Sequence, residues 1–479
     1  MLFNSWQYAL FLPIVFMLYW MLPHKYRWGL VLISSYYFYA CWNVEYLLLI
    51  IFVTLLSFAG GRLIERSSTQ TIQKKVLTGT VIGICLGILF IFKYLNFAVE
   101  TLTELLKYIS VSVPDFTSAL LLPVGISFYT FQAIGYVVDV YRGDIEAESH
   151  LGKYAAFLAF FPQLVAGPIE RTRNLLPQLK KEQYFSYEQA AYGMKLMAWG
   201  FFKKIVIADT MAVYVDFVYQ EVGYRTGFAR FLVIFLFAVQ IYCDFSGYSD
   251  IARGTAKLFG IELMENFKSP YFAESVKDFW RRWHISLSGW FRDYVYIPLG
   301  GNRKGKLRRA LNLMLTFFAS GAWHGAAWTY VVWGGGHGVV QVVENQLRET
   351  KAAKKIRIPR FLKILITFIV VCGLWTIFRA KSLYDAAYMC LLCFVDFENP
   401  VQWMAAGLTD LGILGKELAR IVGMLLILGI YDYISLKNDV IALISKKPLL
   451  VRWFLYLLIV VLIFLWAPAS SAEFIYFDF

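Results

Sequence analysis

Three of the five histidines, His284, His324 and His337, fall within 54 residues of one another. Imidazole is the side chain best suited to move a proton near neutral pH, so this cluster is the first place to look for chemistry. His324 stands in Gly321-Ala322-Trp323-His324-Gly325-Ala326-Ala327-Trp328, inside a run, 310–343, with no Asp, Glu, Lys or Arg in 34 residues. An ionisable group at membrane depth is costly and normally faces a protein cavity. The small residues around His324 leave room for a substrate, and an apolar setting keeps the ring neutral and able to take a proton from a hydroxyl. The competing reading is a histidine that hydrogen-bonds between helices. Both stay open on the residues alone.

His284 lies in Phe279-Trp280-Arg281-Arg282-Trp283-His284-Ile285-Ser286-Leu287-Ser288-Gly289-Trp290-Phe291-Arg292-Asp293. Trp280, Trp283, Leu287 and Phe291 recur at three- and four-residue steps, which predicts an amphipathic helix with its aromatic stripe anchored in the membrane interface. Arg281, Arg282 and Arg292 are candidates for the phosphates of an anionic cosubstrate, or for lipid phosphate. His337 follows His324 by thirteen residues. On one unbroken helix the two would occupy different faces, roughly 20 Å apart, too far to share a metal. The seven-residue step from His337 to Glu344 predicts a hydrogen bond between them. His24 and His150, beside Lys25 and Lys153, read as surface residues.

Asp244-Phe245-Ser246-Gly247-Tyr248-Ser249-Asp250 ends an apolar run. Asp244, Ser246 and Asp250, with Trp323 and Trp328, are the candidate pocket lining; the simpler alternative is that the acidic and hydroxyl groups cap the next helix. Cys390-x-x-Cys393 would suit zinc only beside a second ligand pair, and none is near in sequence, so no metal site is expected. The chain has no Walker-type phosphate loop, Gly-x-Ser-x-Gly elbow or His-Glu-x-x-His pair. ATPase, serine-hydrolase and zincin chemistry therefore lose their usual support.

The elements that must position these residues are set by composition. Of 479 residues, 59% are hydrophobic and only 16% charged, against the usual quarter in a soluble domain. Apolar runs recur from Leu10 to Trp466 without a long polar stretch, which predicts one integral-membrane domain over 1–479. The fold class is all-α, because an unclosed chain can satisfy its backbone in hydrocarbon only as helices. Candidate spans lie near 6–23, 28–44, 46–61, 76–92, 116–138, 154–168, 190–207, 228–243, 310–343, 364–378, 383–395, 421–436 and 449–467. Several are short, so about 11 full crossings with re-entrant or interfacial helices are expected. No Lys or Arg precedes Lys25, so the first segment reads as a span, not a cleaved signal peptide.

Net charge is +13, and it is concentrated. Residues 268–309 hold ten Lys or Arg against Glu274, Asp278 and Asp293, and 344–363 hold seven against Glu344 and Glu349. Such loops face the cytoplasm and anionic lipid; no separate basic domain suggests a nucleic-acid partner. Two basic loops flanking 310–343 predict a segment that enters and returns on one side, or two half-spans. One straight helix there would extend roughly 51 Å, so the run must tilt or break, and Gly334-Gly335-Gly336 is the expected breaking point.

Taken together, Phe161-Pro162-Gln163-Leu164-Val165-Ala166-Gly167-Pro168-Ile169-Glu170-Arg171, Asp244–Gly254, Phe279–Gly305, Gly321–Trp328 and the terminal Phe474-Ile475-Tyr476-Phe477-Asp478-Phe479 resemble the membrane-bound O-acyltransferases, most closely the bacterial branch of the alginate O-acetylation type. The resemblance implies a helical bundle around a central tunnel, with a motif core at about 161–345. It implies that His324 is the catalytic histidine and His284 its upstream polar partner. It also implies acetyl-CoA as cosubstrate with no bound cofactor, an extracytoplasmic acceptor protein or a cell-surface polysaccharide as partner, and the bacterial cytoplasmic membrane as location. The alternatives carried forward are D-alanyl transfer to teichoic acid from a carrier protein, a transporter or flippase, and a non-catalytic assembly subunit. Transport would use the broken apolar segment as a midplane site.

Overall fold

Every regular element among the described residues is helical. The computed structural model describes residues 1–67, 72–108, 122–165, 167–303, 305–350, 357–468, 472, 474 and 475. Ala166, Lys304, the first residues of the 116–138 candidate span and the terminal 476–479 lie outside these. The chain forms two compact units, 1–194 with 251–264, and 195–250 with 265–479.

The first unit is built from α1 (Trp6–Met21), α2 (His24–Ala40), α3 (Leu47–Arg66), α4 (Ile72–Tyr108), α5 (Ile126–Arg142) and the short α6 (Leu151–Leu158), α7 (Phe161–Leu164) and α8 (Thr172–Lys180). Small residues let its helices touch. A Cβ at Gly60 would stand 2.6 Å from a Val81 methyl, and one at Gly61 2.6 Å from the Tyr136 ring. Hydroxyls join them, as in the Tyr154 to Ser57 hydrogen bond of 2.7 Å. The expected span at 154–168 is instead two short buried helices, α6 and α7, separated at Ala159-Phe160. Glu170, on the loop that follows, accepts hydrogen bonds from the Met264 backbone and the Asn174 amide. His150 caps α6 and His24 bonds the Lys180 carbonyl, both at the surface as expected.

From α9 (Tyr187–Phe201) the chain passes through a π-helical turn at Phe202–Ala208 into α10 (Asp209–Gln220) and then α11 (Gly227–Leu258). The remaining helices are α12 (Val276–Arg282), α13 (Ile285–Phe291), α14 (Gly305–His324), α15 (Trp328–Glu349), α16 (Arg360–Arg379), α17 (Leu383–Leu391), α18 (Pro400–Asp410), α19 (Lys416–Ser435), α20 (Val440–Ser445) and α21 (Leu449–Trp466). Among the described residues six helices are long and apolar enough to cross a membrane: α3, α4, α11, α16, α19 and α21. The protein is a multi-pass membrane protein. On α21, apolar but for Arg452 near its start and the Tyr456 hydroxyl, most side chains remain exposed on the protein, a lipid-facing pattern.

The 310–343 run does return on itself, but not at the glycines. The chain reverses at Gly325-Ala326-Ala327, and Gly334-Gly335-Gly336 lies within α15. Those glycines serve contact between helices, Gly334 against the Phe317 backbone and Gly335 against the Phe318 ring. The open ends of the hairpin are tied by Lys306 and Arg309 to Glu349, at 2.6 and 2.8 Å. The two basic flanks thus meet at one end.

Candidate active site

The hairpin places His324 as the last residue of α14, one step before the reversal. A Cβ at Gly325 would lie 2.0 Å from the Tyr330 ring, so the turn closes only around glycine. His324 is 2% exposed, and its Nδ1 lies 2.7 Å from the Ser320 carbonyl oxygen one turn back. A carbonyl can only accept, so Nδ1–H donates and the lone pair of the neutral ring is on Nε2. Trp323, Trp333 and Phe378 hold the imidazole edge-on, with ring centroids 5.0, 4.8 and 5.7 Å away.

His284 reaches the same cage from a break between two short helices. It has φ of 42°, a left-handed conformation uncommon for a residue with a branched ring at Cγ. The break is held by a neighbouring strand of loop: Ile285 and Ser286 donate their backbone N–H groups to the Asn266 carbonyl and side-chain oxygen, and Lys268 donates to the Arg282 carbonyl. Those bonds satisfy the backbone groups that a broken helix leaves open. The His284 ring is fully buried, 4.6 Å from Phe245 and 6.0 Å from Trp323. Trp323 is therefore a common neighbour of both imidazoles.

The expected continuous amphipathic helix over 279–293 is thus two helices with a corner at Trp283-His284. Its stripe is not a membrane anchor either. Trp280, Trp283, Leu287 and Phe291 are all buried in the core of the second unit. The periodicity was that of burial in protein, which apolar spacing cannot distinguish from burial in lipid.

His337 has a different partner from the one expected. The Trp280 indole N–H donates to His337 Nδ1 at 3.1 Å, while Glu344 accepts from the backbone of Val276 and Lys277 at the start of α12. His337 also packs on Trp333 at 5.0 Å. His324 and His337 consequently share one tryptophan, because the helix on which they were to be far apart is broken between them.

Asp244, Ser246 and Asp250 do not cap a helix, since α11 runs unbroken through them. Each meets a lysine that sequence reading passed over. Lys204 Nζ lies 2.7 Å from Asp244 and 2.8 Å from Asp209, and donates to the Ala472 carbonyl at 3.0 Å. Lys203 bonds Ser246 at 2.8 Å and Asp250 at 2.7 Å. Asp244 also accepts from the Ile475 backbone, so this buried network holds the described end of the chain. The signal was present: two consecutive lysines and an aspartate inside apolar sequence need opposite charges within the protein.

The arginines are peripheral by comparison. Arg281 is exposed, Arg282 is paired with Asp278 at 3.0 Å, and exposed Arg292 is paired with Asp293 at 2.8 Å. Trp323 is buried in the cage, whereas Trp328 is 54% exposed at the start of α15. Cys393 bonds the Cys390 carbonyl, and among the described residues no three His, Cys, Asp or Glu side chains are grouped to hold a metal.

The described helices make a multi-pass membrane protein in which a buried imidazole, His324, ends one helix at a chain reversal. Residues 146–386 match the MBOAT, membrane-bound O-acyltransferase family. The chain is 40% identical over 432 residues to "Probable alginate O-acetylase AlgI" of Pseudomonas aeruginosa, covering 90% of this chain and 81% of that one. It is 34% identical over 409 residues to "Peptidoglycan O-acetyltransferase" of Helicobacter pylori, covering 78% and 76%, and 30% identical over 274 residues to "Teichoic acid D-alanyltransferase" of Bacillus subtilis, covering 54% and 69%. The chain belongs to the membrane-bound O-acyltransferase family, and it is an enzyme of acyl transfer to oxygen.

Proposed function

We propose that this protein transfers an acetyl group from a cytoplasmic thioester, acetyl-CoA, to a hydroxyl of a cell-surface polysaccharide or of an extracytoplasmic partner protein, in the cytoplasmic membrane of a bacterium. The names of its relatives support an acetyl donor and a surface polymer. The observation that carries the catalytic assignment is the His324 to Ser320 hydrogen bond, which leaves Nε2 as the proton acceptor.

In this reading the acceptor oxygen attacks the thioester carbonyl carbon and gives its proton to His324 Nε2. The carbonyl pair moves to oxygen, then returns as the carbon–sulfur bond breaks, and the departing thiolate takes the proton from the imidazolium. The carbonyl groups at the end of α14 present partial negative charge to that transient cation. His284 serves as the second polar group, and Trp323 lines the space beside both rings. The apolar cage excludes water that would hydrolyse the thioester. Arg281, Arg282 and Arg292 are the groups offered to the phosphates of the donor.

The test is H324A in cells given labelled acetate or labelled D-alanine. Wild type should label the surface polymer from acetate, and H324A should lose at least 100-fold of that label at normal protein abundance. Retained acetate label would remove His324 from catalysis. Label from D-alanine alone would replace the acetyl donor.

A further inference from the structure

The open end of the α14–α15 hairpin, away from the reversal at Gly325-Ala326-Ala327, holds a cavity of about 480 Å³. Its mouth is polar, with Lys306, Arg309, Asn345 and Glu349, and its floor is apolar, with Leu313 and Val342. Glu349 is shared by Lys306 at 2.6 Å and Arg309 at 2.8 Å, so these three groups carry one positive charge more than negative. Further cations crowd the same end. Burial and the neighbouring guanidinium groups of Arg281, Arg348 and Arg309 hold the Lys277 ammonium below its ordinary value, and Glu344 opposes them only in part. Like charges held this close are relieved by an anion.

The surface next to the cations decides the kind of anion. Leu307, itself part of the cavity wall, begins a stripe of Leu307, Leu311, Leu315 and Phe318 along one face of α14, and all four are exposed on the protein. From Leu307 to Phe318 the helix rises about 16 Å, close to half of a roughly 30 Å hydrocarbon core. The stripe is as deep as one leaflet. A water-soluble phosphate would meet the cations and leave the stripe bare. A phospholipid covers both, with its phosphate at the mouth and a chain against the leucines.

We infer that this groove binds one anionic phospholipid, with its phosphate between Lys306 and Arg309 and an acyl chain along the Leu307–Phe318 face. Asn345 and Val342 supply the opposite wall, so the lipid touches both arms of the hairpin that carries His324. The 20 residues of α14 put about 30 Å between this end and His324, which makes the site separate from the acyl-transfer chemistry. The phosphates of a soluble acyl donor offer the same negative charge without the long chains, and the experiment separates the two sources.

Full-length protein in detergent is titrated with phosphatidylglycerol or phosphatidylcholine and read by native mass spectrometry, alone and with excess acetyl-CoA or glycerophosphoglycerol, the headgroup without its chains. Wild type should hold one phosphatidylglycerol about fivefold more tightly than phosphatidylcholine. The preference should fall as salt rises. K306Q and R309Q should each weaken phosphatidylglycerol by about fivefold. E349Q removes the competing carboxylate and should strengthen it, an opposite shift that misfolding does not produce. L311N should weaken both lipids by a similar factor, and neither soluble phosphate should displace them. Equal binding of the two lipids, unchanged binding in K306Q and R309Q, or weaker binding in E349Q would each overturn the site. Displacement by acetyl-CoA would give these cations to the acyl donor, and displacement by glycerophosphoglycerol would make them a free-phosphate site; either result overturns the lipid assignment. H324A should bind phosphatidylglycerol as wild type does. If H324A also transferred acetyl as wild type does, the general-base reading would fall and the lipid site would stand.

Discussion

Gly334 and Phe317 meet across the α14–α15 hairpin so closely that a Cβ on Gly334 would lie 2.4 Å from the Phe317 carbonyl oxygen. Gly321 makes the reciprocal approach, with a Cβ there 2.3 Å from the Tyr330 carbonyl. The two helices touch backbone to backbone beside His324, and neither carbonyl can rotate away without breaking its own helix.

Gly334→Ala should therefore separate the hairpin, at a cost of about 3 kcal/mol, the upper part of the overpacking range. The expected result is a lower thermal midpoint in detergent and loss of acyl transfer. Gly336→Ala is the control, because its Cβ would meet only the end of the Leu374 side chain, which can move. Equal midpoints for the two variants would show that close approach is not what the glycines supply.

Lys204 is a cation shared by Asp209 and Asp244. Lys204→Met leaves two buried carboxylates without it and should destabilise the protein by about 3–5 kcal/mol, seen as a loss of folded protein after extraction. Adding Asp209→Asn and Asp244→Asn to Lys204→Met removes the stranded charges while keeping an acceptor for Ile475. The triple variant should recover abundance. If it stays as depleted as Lys204→Met alone, charge balance is not the reason this lysine is needed.

Glu170 provides a pH signature in the first unit. Burial pushes its carboxyl up to about 7 from an ordinary 4.5, against the opposing hydrogen bonds from Met264 and Asn174 and the charge of Arg171. The folded protein holds a proton that the unfolded chain releases first. Stability from this group is thus fully present below about pH 4.5 and declines until about pH 7, with a total near 3 kcal/mol. Thermal midpoints of wild type and Glu170→Gln, followed from pH 4 to 8, should differ in slope across this window. Parallel curves would mean that Glu170 does not titrate there.

The sequence by itself determined the solvent and the helical fold class. Sparse charge and repeated apolar runs required membrane helices, the length of the charge-free 310–343 run required it to tilt or break, and His324 among small residues is where the proton transfer is proposed. Tertiary structure decided what periodicity leaves open. Apolar spacing at Trp280, Trp283, Leu287 and Phe291 specifies a face to be buried but does not say whether lipid or protein covers it. Three glycines signal either a broken helix or a close crossing, and only the Phe317 carbonyl opposite Gly334 selects the second. His337 and Glu344 share a helical face, yet Trp280 and the start of α12 take their polar atoms. Lys203 and Lys204 needed buried counter-charges, but which carboxylates supplied them depended on α11 running unbroken beside the π turn. Each of these choices is made by a neighbour distant in sequence, and local spacing carries no record of that neighbour.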